Sequence, residues 1–199
     1  MPPLLPSVAA YLETLPRGAD SYPECCVKAS LVRNALGDKL LGPELALPPP
    51  VRALIDHPPP VSVWIPEVHF NVMMLAVREA FFAGRDDEYL GWVYSQNKKL
   101  LSTPLYRAIF LLVSPERLLV GYEKRWGSFR QGTEVSHVRR GPREVELSVR
   151  CPPFLYAAPI VRGMSAALRA AVTCAGAKEA TVEGEICAPT QVVYDLRWS

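Results

Sequence analysis

The stretch "ATVEGEICAPTQVVYDLRW", Ala180–Trp198, decides the fold. In its second half Val192, Tyr194, Leu196 and Trp198 share one face, and Gln191, Asp195 and Arg197 take the other. That period of two is the signature of a half-buried strand, and the turn at Ala188–Thr190 makes the stretch a hairpin. The same period appears in "EVSHVRRGPREVELSVRC" (134–151), where Val145, Leu147 and Val149 alternate with Glu144, Glu146, Ser148 and Arg150 across from the turn "RRGPR". Between the two ribbons, "APIVRGMSAALRAAVTCAG" (158–176) reads as a helix closed by Gly176. The order is hairpin, helix, hairpin. Neither ribbon is stable alone with an apolar face in water, so the two are expected to join edge to edge as one four-stranded antiparallel sheet. Its apolar face is expected to receive the 158–176 helix and a second, more buried helix from upstream. The class is α+β, with N-terminal helices packed on a C-terminal four-stranded antiparallel sheet.

The second helix lies in "VSVWIPEVHFNVMMLAVREAFFAG" (61–84). It is expected to run from Pro66 to about Ala83, with Gly84 ending it. Apolar residues cover more than one of its stripes, which means burial on several sides. Further helices are expected over 86–100, from Pro104 with Ser102 or Thr103 as cap, and from Pro115 with Ser114 as cap. In the last of these Leu118, Leu119, Tyr122 and Trp126 fall on one side before Gly127 stops it. "CCVKASLVRNALG" (25–37) reads as a strand continuing into a helix. Twenty prolines cluster in "PPLLP", "LPPP" and "HPPP" and punctuate the N-terminal half. Residues 1–21 are read as a proline-rich arm, with a short helix around 8–15, and residues 22–199 as a single domain.

Composition excludes several classes. At 199 residues, 49% hydrophobic and 21% charged, the chain can bury a substantial core. A net charge of +2 does not point to a nucleic-acid partner. No uncharged apolar run approaches the roughly 20 residues of a membrane span. The N-terminus lacks a basic region and reaches Glu13 early, unlike a secretory signal. Five cysteines without a regular framework suggest reduced thiols, and a cytoplasmic protein is expected. No nucleophile elbow, metalloprotease helix, phosphate loop or dinucleotide fingerprint is present, so no catalytic residues are assigned. The acids of "GRDDEYLG" (84–91) suit a helix N-terminus.

The segments "WIPEVHFNVMML", "YRAIFLLVSPERLLVGYEKRWGSFRQGTEV", "CAGAKEATVEGEI" and "VVYDLRW" resemble a paralogous family of unknown function known chiefly from myxobacteria. The resemblance rests on Trp64 and Pro66, on Pro115 with Trp126 and Gly132, on Gly176 and Ala177 with Val182, and on Trp198. It covers residues 22–199. The layout is also similar to the superfamily of 4-vinyl reductases and haem-nitric-oxide-binding domains, which includes trafficking subunits with an acyl-holding tunnel. This implies a cytoplasmic domain that encloses a small apolar ligand or presents a protein-partner or homodimer surface. The superfamily's haem branch clamps propionates with a Tyr-x-Ser-x-Arg motif that this chain lacks, so haem is not expected. Its zinc-bearing sensors make Cys151, Cys174 and Cys187 the candidate metal ligands, although their close cysteine spacing is missing here.

Aromatic and Met side chains exceed a simple core stripe: Trp64, Phe70, Met73, Met74, Phe81 and Phe82 on one helix, then Tyr106, Phe110, Tyr122 and Trp126. The candidate ligand pocket is Trp64, His69, Met73, Tyr106 and Trp126, an apolar lining with a few polar handles. A structural histidine is the simpler reading of His69. The expected function is a non-catalytic sensory or scaffold domain for a small apolar ligand, a protein partner or both. A pure adaptor and an enzyme on a tetrapyrrole-like substrate are the alternatives.

Overall fold

The computed structural model describes residues 3–103 and 113–199. Among them the order is α1 (Pro6–Glu13), β1 (Cys26–Lys28), α2 (Ala29–Leu36), α3 (Pro49–Asp56), β2 (Trp64–Pro66), α4 (Glu67–Phe82) and α5 (Asp86–Leu101). There follow α6 (Pro115–Arg125), β3 (Arg130–Gln131), β4 (Glu134–Gly141), β5 (Glu144–Arg150), α7 (Ala158–Cys174), β6 (Ala180–Ala188) and β7 (Gln191–Trp198). The helix expected from Pro104 falls outside the described residues.

The two hairpins do join, in the order β4-β5-β7-β6, all antiparallel. The register sets Val145 opposite Leu196, Leu147 opposite Tyr194 and Val149 opposite Val192. All six are buried on the face that alternation selects. The other face carries Glu144, Glu146 and Ser148 opposite Arg197, Asp195 and Val193. One correction concerns the roof. Helix α7 lies on β6 and β7, whereas α4 makes its main contacts with α7, α5 and α1 to α3, one layer farther from the sheet than expected. Asp86 ties these layers, taking Arg78 of α4 and Arg162 of α7 at 2.6 Å each.

Alternation could not show the second sheet, because its strands are two or three residues long. It has the order β2-β1-β3, and Val27 lies opposite both Ile65 and Arg130. Gly132 follows with φ +73°, and a Cβ there would come within 2.7 Å of Cys25. Only glycine allows β3 to lie this close to β1. Trp64–Pro66, with Trp64 expected on the helix and Pro66 as its start, is the third strand of this sheet, and α4 begins directly after it.

The segment read as an arm packs against the body. Val8, Tyr11 and Leu15 are buried, the first two on α1, and α1 lies along α4. The Tyr11 hydroxyl donates to the Leu155 carbonyl at 2.7 Å, and the Asn71 amide of α4 donates to that carbonyl at 2.9 Å and to the phenol at 3.1 Å. The chain start is thereby fastened to the loop that leads into α7.

Urea denaturation should separate the two faces of β5. Leu147→Ala is expected to lose about 2–5 kcal/mol, and its neighbour Ser148→Ala to stay within about 0.5 kcal/mol. Equal effects would contradict the assigned face.

Candidate functional site

Helix α4 decides where a site can form, because its two sides face different surroundings. Residues four apart share a helix face. His69 and Met73 make one such pair, and Phe70 and Met74 make another. The second pair lines a cavity of about 400 Å³. Leu31 of α2 and Tyr89, Val93 and Leu100 of α5 form further walls. Ile160, Met164 and Ala167 of α7 close the side toward the sheet, and Tyr122, Phe129 and Arg130 complete the lining. Gly163 of α7 has a structural reason: a Cβ there would sit 3.2 Å from the Tyr89 hydroxyl, so its absence leaves the phenol room against the helix.

The lining is mostly apolar, and Arg130 is its one charged side chain among the described residues. Arg130 is 8% exposed and pairs with Glu67, which is fully buried at the first turn of α4. Tyr156 donates to Glu67 Oε1 at 2.7 Å, and Arg130 Nη1 donates to the Tyr156 oxygen at 3.4 Å. The guanidinium lies 5.2 Å from the Trp126 ring centre, near enough for a cation–π contact. Register explains how the pair meets. Arg130 and Ile65 flank Val27 on either side, and Glu67 comes two residues after Ile65. Burial pushes the Tyr156 and Tyr122 phenols well above their ordinary range.

None of Trp64, His69, Met73 and Trp126 lines this cavity, and Tyr106, with Phe110, lies outside the described residues. Trp64 is half-buried on β2 with the Lys28 ammonium 3.7 Å from its ring centre. Met73 is core. Trp126 stands behind Arg130 and donates to the Thr133 carbonyl and hydroxyl at 3.0 Å each. His69 faces the N-terminal segment. Its Nε2 donates to the Ala19 carbonyl at 3.1 Å, and Nδ1 has no partner. Periodicity places the helix but does not distinguish the stripe that meets packed atoms from the one that meets space. The signal in the sequence is Arg130, a cation in an aromatic-rich segment two residues before the glycine that seats β3.

The three candidate thiols are set apart. Cys151 donates its amide to Thr190 at the turn of the β6–β7 hairpin, and Cys187 also lies near that turn. Cys174 ends α7, which feeds the opposite end of β6, roughly 20 Å away at the rise of a strand. Among the described residues no group of three or more His, Cys, Asp or Glu is placed to hold a metal. Burial lifts the Cys151 thiol to about 11.

A family model for proteins of unknown function, DUF2378, matches residues 28–199. The chain belongs to this family. No curated protein matches the chain. Among solved structures the fold is similar to H-NOX proteins from K. algicida in the Fe(II) unliganded state. A mutant form has a TM-score of 0.54 at 9% identity, covering 86% of this chain and 96% of that one. The parent form has a TM-score of 0.50 at 9% identity, covering 86% and 92%. The likeness is one of fold. Haem iron needs an axial ligand, commonly a histidine. His57 follows α3, His69 faces Ala19, and His137 lies 2.6 Å from Glu123. With no histidine or cysteine among the described lining, a histidine-ligated haem does not fit this cavity.

Two outcomes follow from the buried polar groups. Desolvation lowers the His69 pKa below the ordinary histidine value, against weaker opposing effects of the Ala19 hydrogen bond and Asp20. The unfolded chain then takes up this proton first, so stability is full above that value and declines as pH falls below it. His69→Gln, which keeps a donor for Ala19 without titrating, is expected to flatten that decline in unfolding curves between pH 7 and pH 5. Separately, Glu67→Ala strands a buried cation and should cost about 3–5 kcal/mol, with the double change Glu67→Ala, Arg130→Met costing less in the same assay.

Proposed function

We propose that this domain is a non-catalytic sensory or scaffold module that holds a small apolar molecule between α4, α5 and α7. The observation carrying this reading is the cavity of about 400 Å³, lined by Phe70, Met74, Val93, Ile160 and Met164. Its size and mostly apolar lining are those of small-molecule sites. Catalysis gains no comparable support, because the polar lining groups do not assemble a nucleophile, base and orienter. The fold likeness to H-NOX proteins agrees with a ligand-holding role without identifying the ligand. A protein partner would read the occupied state from the outer surface of the same layers. Helix α7 is the natural reporter, since it touches both cavity and sheet.

The neutral fluorophore phenylnaphthylamine provides the test. It is expected to brighten on binding the purified protein, and Ala167→Trp, which fills the cavity from α7, is expected to abolish that signal while the chain stays folded. At a hundredfold excess over its Kd the probe should stabilise the chain by about 2.7 kcal/mol, raising the midpoint of thermal unfolding by roughly 5–10 °C. A wild-type protein that neither brightens nor shifts would remove the reading.

A further inference from the structure

The cavity holds a charge, yet the charge is already answered. Arg130 Nη1 is engaged by Glu67 and Tyr156, whereas Nε and Nη2 have no hydrogen-bond partner among the described residues. These two nitrogens are also not among the buried atoms sealed away without a partner, which belong to Glu67, His69 and Asn71. In a side chain only 8% exposed, the space left for them is the cavity that Arg130 lines. A guanidinium presents its donors as a fixed fork, so Nε and Nη2 define one direction from which an acceptor oxygen can approach.

We infer, building on the ligand-holding role proposed above, that the cavity selects neutral apolar molecules carrying one acceptor oxygen. A ketone, ester or aldehyde fits this class, with its oxygen on Arg130 Nε and Nη2 and its hydrocarbon body along Phe70 and Met74. The preference for a neutral oxygen over a carboxylate follows from charge. Glu67 and Arg130 together are neutral, and no other charged group lines the space among the described residues. A carboxylate entering there would place two anions around one cation, in surroundings where an uncompensated charge is poorly solvated. A neutral carbonyl satisfies the two donors without adding charge. A plain hydrocarbon leaves them unsatisfied, which is costly once water is expelled.

The test is competition against bound phenylnaphthylamine at neutral pH. Methyl heptyl ketone is expected to displace it, and nonanoate, of equal carbon count, to do so at about tenfold higher concentration or more. Arg130→Lys keeps a cation opposite Glu67 but removes the fork. It should weaken the ketone about tenfold, read from the competition after the fluorophore Kd has been measured for the variant itself. Nonanoate competing as well as the ketone, or a ketone indifferent to Arg130→Lys, would overturn the inference while the ligand-holding role stands. If Arg130→Lys does not fold, the wild-type comparison of ketone and acid decides alone. Failure of the fluorophore to bind the wild type at all would remove both.

Discussion

The pair formed by Glu67 and Arg130 is the contact on which the arrangement of this domain depends. Two charges taken out of water gain little unless their geometry is good and their remaining polar atoms are answered. Here the short sheet supplies the geometry, because β2 delivers Glu67 and β3 delivers Arg130 to opposite flanks of β1. Tyr156, from the loop ahead of α7, supplies a further hydrogen bond to Glu67 Oε1, while Oε2 stays buried without a partner among the described residues. The pair thus draws three distant stretches of chain to one point, and that point borders the cavity. One guanidinium both closes the buried pair and lines the cavity.

Helix α4 is the second organising element, and its excess of apolar residues acquires a reason. A helix with one neighbour needs one stripe, whereas α4 is surrounded by α1, α2, α3, α5 and α7. The buried polar residues on it, Glu67, His69 and Asn71, all occur in its first two turns. Each links α4 to a different segment: Arg130 and Tyr156, Ala19, and Tyr11 with Leu155. The fully buried polar fasteners lie in the first turns, and the later turns add partly exposed ties from Arg78 to Asp86 and from Glu79 to Ser7.

Legibility in the sequence followed the length of the repeating signal. The strands of seven to nine residues near the C-terminus announced themselves through alternation, and the turns and capping residues around Ser114, Gly84 and Gly176 bounded the helices within a few positions. The β2-β1-β3 sheet was hidden because strands of two or three residues complete no pattern. The cavity was hidden for another reason. Phe70 and Met74 differ from His69 and Met73 by one position, about a hundred degrees of helix rotation, and only the packing of α5 and α7 distinguishes space from core. His69 stands out in the sequence as a polar group on an apolar helix, yet in the fold it donates a hydrogen bond to Ala19, and the charged side chain lining the cavity is Arg130.

The outermost strands of the large sheet carry a final consequence. Each departs from regular pairing close to its turn, between Arg139 and Gly141 on β4 and between Ile186 and Ala188 on β6. Helix α6 meets β4 through the contacts of Glu116 with Arg139 and Glu123 with His137, while β6 holds Glu183 and Glu185 exposed. Kinks and outward carboxylates of this kind discourage a neighbouring backbone from zipping onto the rim. Lateral growth of the sheet into larger ribbons is therefore disfavoured.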